Sequence, residues 1–240
     1  MLQASEQPPL LWLTRRKMND LTVLRELSHS NGLLLSRDQP RVSPRLPTVL
    51  SEHWRFFTAF LRRPATVGAL MPSSPLLAGA LLEQCNLRTA RTVVELGAGT
   101  GAVTRFILDR IGRHTTFLAL ELDVDATWDL RRRFPSLKVY ADSAEHIQTY
   151  LARHGCRRAD YIVSGLPWAS MATQTQDRIL AAILKALKPG GLFTTFAYLH
   201  AGWMPAARRF RERLQDHFDT VQRSRTVWRN VPPAYVYRCH

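Results

Sequence analysis

The sequence predicts an α/β domain with a mostly parallel sheet covered by helices on both faces, and three observations carry that expectation. From Thr92 onward, short apolar runs alternate with segments of helical periodicity. The runs are rich in Val, Ile, Leu and Phe without polar alternation, as in strands buried on both faces. A glycine-rich turn, Gly97 to Gly101, joins the first run to the first helical segment.

Taken in order, the strands are expected at Thr92–Leu96, Phe117–Glu121, Lys138–Tyr140, Tyr161–Ser164 and Leu192–Tyr198. Helices are expected over Ala102–Ile111, Val124–Phe134, Ala144–Arg153 and Thr173–Leu187, with Lys188-Pro189-Gly190-Gly191 stopping the last before its strand. Thr226–Arg229 and Tyr235–Arg238 flank Asn230-Val231-Pro232-Pro233 and read as a C-terminal antiparallel hairpin. Residues 1–50, punctuated by Pro8, Pro9, Pro40, Pro44 and Pro47, read as a loosely ordered extension, and 51–240 as the domain. Within it, 51–90 reads as an N-terminal helical lid, where Ser73 and Ser74 before Pro75 cap a helix.

Composition narrows the partners. The net charge is +14, almost all from arginine, which favours a polyanion: nucleic acid or an anionic membrane surface. A preference for arginine codons would give the same excess. The three cysteines lack metal-ligand spacing, so neither a metal site nor a structural disulfide is expected. No run approaches the ~18 apolar residues of a spanning helix. The cluster PPLLWL is too short for a signal peptide, which leads to an expected cytoplasmic location.

The ligand signal starts at Val93-Val94-Glu95-Leu96-Gly97-Ala98-Gly99-Thr100-Gly101. Glycines let the backbone turn sharply and approach a ligand, and N–H groups at the following helix start favour an anionic group. Twenty residues after Gly101, Glu121 ends the second strand, where an acid can accept from both hydroxyls of a ribose. Asp142, just past the third strand, is placed for an adenine amino group, or to cap the helical turn at Ser143-Ala144-Glu145. The turn alone admits a nicotinamide dinucleotide. Glu95 just before it, and Glu121 and Asp142 beyond it, favour another cofactor.

These residues closely resemble class I S-adenosylmethionine-dependent methyltransferases, whose first motif, E-x-G-x-G-x-G, is matched by Glu95, Gly97, Gly99 and Gly101. The resemblance implies a Rossmann-like seven-stranded sheet. It also implies that the loop holds the methionine part of S-adenosylmethionine, Glu121 the ribose and Asp142 the adenine. Ala98, Leu122, Ser143, Ser164 and Gly165 complete the expected cofactor set.

The acceptor is read from the segment after the fourth strand, Ser164-Gly165-Leu166-Pro167-Trp168. This resembles the N-L-P-Y motif of amine-methylating nucleic-acid enzymes but lacks its Asn, which argues against an adenine of ribosomal RNA. A second resemblance covers roughly Phe56 to Tyr237: Phe60–Pro64, Val67–Pro75, the first motif, Ser164–Pro167 and Asn230–Ala234 are similar to bacterial phospholipid N-methyltransferases. It implies an aminolipid substrate, of phosphatidylethanolamine type, methylated by an enzyme held peripherally on the inner face of the membrane. In that family the loop with Met71, Ser73 and Ser74 roofs the site.

Two segments admit a membrane reading, against packing on the sheet for the first and a plain solvated helix for the second. Trp54, Phe56, Phe57, Phe60 and Leu61 share one half of a helix at 53–63, and Trp203, Phe210, Leu214 and Phe218 form a stripe amid arginines. A primary amine is mostly protonated near neutral pH, so it must lose a proton before attack. Tyr198 and His200 are expected to orient it or take that proton. Trp168 and Tyr235 are expected to offer π faces to a methylated ammonium, unless Trp168 is core. A small-molecule methyltransferase of secondary metabolism and a non-catalytic binding protein are the other readings.

Overall fold

The computed structural model describes residues 74–240; the expected extension at 1–50, the helix at 53–63 and the residues Met71 and Ser73 lie outside them. Seven strands form one sheet in the order β3-β2-β1-β4-β5-β7-β6. They are β1 (Thr92–Leu96), β2 (Thr116–Glu121), β3 (Lys138–Ala141), β4 (Ala159–Ser164), β5 (Leu187–Tyr198), β6 (Val221–Arg223) and β7 (Ala234–Cys239). The first five run parallel, while β7 lies antiparallel to both β5 and β6.

Among the described residues, six α-helices sandwich the sheet: α1 (Pro75–Leu82), α2 (Ala102–Leu108), α3 (Val124–Arg133), α4 (Ile147–Arg153), α5 (Thr173–Ala186) and α6 (Pro205–His217). Side chains alternate across a strand, so each central strand feeds two cores. Val93, Ala119, Val163 and Val236 meet α1, α2 and α3 through Leu77, Leu81, Val103, Ile107 and Leu130. Val94, Leu118, Ile162 and Phe193 meet α4, α5 and α6 through Leu151, Ile179, Ile183, Phe210 and Leu214. All five residues of β1 are buried, Thr92 and Glu95 included, as a strand covered on both faces requires.

Several expected boundaries shift. Lys188–Gly191 does not stop a helix before the strand. Leu187 already pairs with Ala159, so the four residues bulge out of β5 and pairing resumes at Leu192 opposite Tyr161. Lys188 there pairs with Asp160, whose other oxygen accepts from the N–H groups of Arg91 and Thr92, each 2.8 Å away. The hairpin partner of β7 is Val221–Arg223; of Thr226–Arg229, Val227 makes a bridge to Ala234. The expected helix at 144–153 divides into a 3-10 turn, Ala144–His146, and α4.

The stripe on α6 is core. Phe210, Leu214 and Phe218 are buried, with Phe210 stacked on Trp168 at 4.8 Å and Phe218 on Phe193 at 5.6 Å. Trp203 precedes the helix and stands in solvent.

Ser74 caps α1 as expected, its hydroxyl accepting from Leu77 N at 3.2 Å. The backbone N–H of Ser74 in turn donates to Oδ1 of Asn230, 3.0 Å away, while Asn230 Nδ2 donates to the Pro232 carbonyl at 2.7 Å. Two stretches far apart in sequence are thereby joined at the carboxyl end of the sheet. Asn230 is buried, so Asn230→Ala is expected to lower stability by about 1–3 kcal/mol, read as a lower urea midpoint with an unchanged slope.

Candidate functional site

The strand order reverses between β1 and β4, and ligands of open α/β sheets sit in the crevice outside the carboxyl ends at such a point. Here the two turns nearly touch. Gly97 N donates to Leu120 O and Gly165 N to Leu96 O, both at 2.8 Å, which ties the ends of β2, β1 and β4 together. Gly97 has a φ of +73°, and a Cβ on Gly165 would lie 2.6 Å from the Gly97 carbonyl oxygen. Only glycine fits at both positions. The cleft they border is lined by Glu95, Ala98, Gly99, Thr100, Val163 and Tyr198, among others.

Glu95 points to the α2 face of β1 and is 2% exposed. One carboxylate oxygen accepts from Thr104 Oγ1 at 2.6 Å. Burial is the main cause that lifts its carboxyl from 4.5 to about 7, with Thr104 opposing and Glu121 adding to the rise. The folded chain therefore keeps a proton that the unfolded chain releases near pH 4.5. This group's contribution to stability is full below that pH and falls as pH rises towards about 7, by ~3 kcal/mol. Glu95→Gln is expected to remove that slope. Urea unfolding of the cofactor-free proteins at about pH 5 and about pH 8 checks it, the variant gaining on the wild type at the higher pH. An unchanged slope in the variant would assign the proton elsewhere.

Glu121, at the end of β2, accepts from Gly99 N at 2.8 Å and from Asp123 N at 2.9 Å. Burial pushes its pKa up despite these two bonds. Each carboxylate oxygen has a second lone pair, so both retain acceptor capacity. Asp142 follows β3 and accepts from Ser143 N (2.7 Å), His146 Nδ1 (2.8 Å) and Tyr150 OH (2.8 Å). Desolvation alone would raise its pKa, but these hydrogen bonds outweigh it and hold the carboxyl low. The residue that caps the following turn is Ser143, whose Oγ accepts from Glu145 N at 3.3 Å. Leu122 is half-buried between Glu121 and the α3 cap Asp123.

On the acceptor side the expected residues divide. Tyr198, the last residue of β5, lines the cleft, and the exposed His200 stacks on its ring at 5.7 Å. Trp168 does not reach the cleft. It is 2% exposed, with its indole N–H donating to Ser164 Oγ (3.2 Å) and Thr195 Oγ1 (3.0 Å). Tyr235 offers no open π face either. It is buried, and the Arg223 guanidinium covers its ring at 3.7 Å. Strand alternation is the reason: Tyr235 points from β7 into the α6-side core, whereas Tyr198 on β5 points to the opposite face.

Among the contributors not singled out in the sequence, Val163 and Phe196 line the cleft, and Thr104 holds Glu95. Phe196 lies two residues before Tyr198, and strand periodicity alone puts the two on one face. Among the described residues, no cluster of His, Cys, Asp or Glu could hold a metal, and no helix is long and apolar enough to cross a membrane.

Comparison with known proteins places this geometry. Residues 93–191 match the methyltransferase domain family. An ornithine lipid N-methyltransferase from Singulisphaera acidiphila is 30% identical over 193 residues, spanning 79% of this chain and 96% of that enzyme. A ribosomal RNA small subunit methyltransferase from Arabidopsis thaliana is 25% identical over 137 residues, 57% of this chain and 36% of that protein. The fold is shared with an O-methyltransferase of tomaymycin synthesis from Streptomyces achromogenes, solved with S-adenosylmethionine bound. Its TM-score is 0.59 at 17% identity, covering 81% of this chain and 90% of that one. A likeness that spans nearly the whole of a 30%-identical relative makes this chain a member of its family, the class I S-adenosylmethionine-dependent methyltransferases, with S-adenosylmethionine as its cofactor.

Proposed function

We propose that the enzyme N-methylates the headgroup amine of a membrane aminolipid, of ornithine-lipid or phosphatidylethanolamine type, from the cytoplasmic surface of the membrane. The observation that carries this reading is the nearly full-length likeness to the ornithine lipid N-methyltransferase. The residues at this end of the sheet suit the cofactor: the glycine turn borders the cleft, and Glu121 and Asp142 keep free acceptor capacity at adjacent strand ends. In this reading the turn holds the methionine part, Glu121 the ribose hydroxyls and Asp142 the adenine amino group. The bound cofactor supplies an electrophilic methyl group to in-line attack, so catalysis rests on alignment and exclusion of water. The Tyr198 hydroxyl orients the amine, and the neighbouring His200 imidazole takes the proton that the ammonium must lose.

The rival acceptor, an adenine in RNA, draws on the Arabidopsis relative, but the position of the amine-holding Asn carries Gly165 here, with no space for a side chain. Expression in a host without lipid methylation, followed by lipid mass spectrometry, tests the proposal. Singly to triply methylated aminolipids are the expected products. Purified, cofactor-bound protein that methylates no aminolipid would end this reading, and methylated adenine would replace it with the RNA one.

A further inference from the structure

The carboxyl end of β5 and the amino end of β7 carry two turns, of which the catalytic reading uses His200 alone. The first, Leu199–Met204, follows Tyr198; the second, Ser224–Pro233, leads into β7. Leu199 N donates to Pro233 O at 2.8 Å, Val227 bridges Ala234, and Asn230 grips Ser74 at the start of α1. Three segments are thus bound together beside the mouth of the cleft, next to Tyr198.

Their outward residues are large and apolar. Trp203 is 81% exposed and Trp228 70% exposed, and Met204, Val231 and Leu76 also stand in solvent. Water contact on this scale is unfavourable, and contiguous exposed apolar residues mark an interaction surface. The charge around them has one sign. Residues 74–82, 198–211 and 220–238 contain no Asp or Glu, while Arg208, Arg209, Arg225 and Arg229 are exposed among them. Another exposed indole, Trp128 on α3, stands in a different setting: Arg131 lies over its ring at 5.8 Å, and Asp125 and Asp129 share its helix.

We propose that the Trp203-Met204 and Trp228–Val231 turns insert into the headgroup layer of an anionic membrane and seat the cleft mouth on it. The proposal rests on the lipid-acceptor reading and locates its membrane contact on the turns rather than on α6, whose apolar stripe is core. Indole rings favour the water–hydrocarbon boundary, and arginines beside them gain from lipid phosphates and anionic headgroups. An amine in the headgroup layer is thereby presented beside Tyr198 without leaving the membrane.

The test uses the full chain with vesicles of phosphatidylethanolamine and phosphatidylglycerol, read by sedimentation and by fluorescence quenching from brominated acyl chains. Trp203→Ser with Trp228→Ser is expected to weaken vesicle binding at least about tenfold and to abolish most of the quenching. S-adenosylmethionine affinity and melting temperature should stay unchanged, which shows that the variant folds. Trp128→Ser should bind vesicles as the wild type does. Wild-type vesicle binding by the double variant overturns the proposal. So does a dimer that the double variant dissolves, or salt-sensitive RNA binding that it loses while vesicle binding persists. Transfer to aminolipid dispersed in detergent separates the two readings: binding through the tryptophans without any lipid methylation removes the acceptor assignment and leaves this surface standing.

Discussion

Replacing Gly165 with alanine is expected to weaken S-adenosylmethionine binding at least about a hundredfold and to lower stability by roughly 1–3 kcal/mol. The added Cβ would sit 2.6 Å from the Gly97 carbonyl oxygen, with the Gly97 carbonyl carbon and Leu96 oxygen behind it at 3.7 and 3.8 Å. All three neighbours are backbone, so no side chain can swing aside. Relief requires the two turns to part. That breaks the Gly165 N–Leu96 O bond and moves the Gly97–Gly99 segment that borders the cleft. Calorimetric titration with cofactor and urea unfolding measure the two effects separately. Near-wild-type affinity in Gly165→Ala would show that the turn does not set the cofactor site.

Glu121→Ala has the second large effect, and it acts through two partners at once. The buried carboxylate accepts from Gly99 N and Asp123 N, so it fixes both the glycine turn and the start of α3, where Asp123 Oδ1 caps Ala126 N at 2.9 Å. Truncation leaves two N–H groups without their acceptor and removes the proposed ribose partner. Cofactor affinity is expected to fall about a hundredfold or more, with ~2–4 kcal/mol of stability lost. Glu121→Gln keeps one acceptor oxygen and should fall between the two. A Glu121→Ala protein that unfolds earlier but binds cofactor at wild-type strength would leave Glu121 a structural role and refute the ribose assignment.

The glycine turn and the acids at the strand ends were legible in the chain because their signals are local. Glu95, Gly97 and Gly101 lie within one strand–turn–helix unit, and each acid ends or follows a strand whose apolar run marks it. Ser74 before Pro75 is likewise a local cap, and the structure shows it. The acceptor half was less legible because it depends on which face of the sheet a residue meets. Trp168 and Tyr235 are aromatic residues near strand ends, as Tyr198 is, yet two of the three are core. Their sequence contexts do not differ in kind; what differs is the packing of α6 over one face.

The same division runs through the whole protein. The alternation of apolar runs and helical segments, with glycine where the backbone must crowd, determined by itself the parallel sheet and the position of the glycine turn. Those features stem from backbone sterics and strand periodicity, which act over a few residues. Only the tertiary structure decided that Lys188–Gly191 bulges inside β5, that β7 takes Val221–Arg223 as its partner, and that Asn230 holds Ser74. It alone decided that the α6 stripe is buried while Trp203 and Trp228 remain exposed. The physical reason is that burial and long-range hydrogen bonding depend on which surfaces meet once the helices pack on the sheet, and residues far apart in sequence set that.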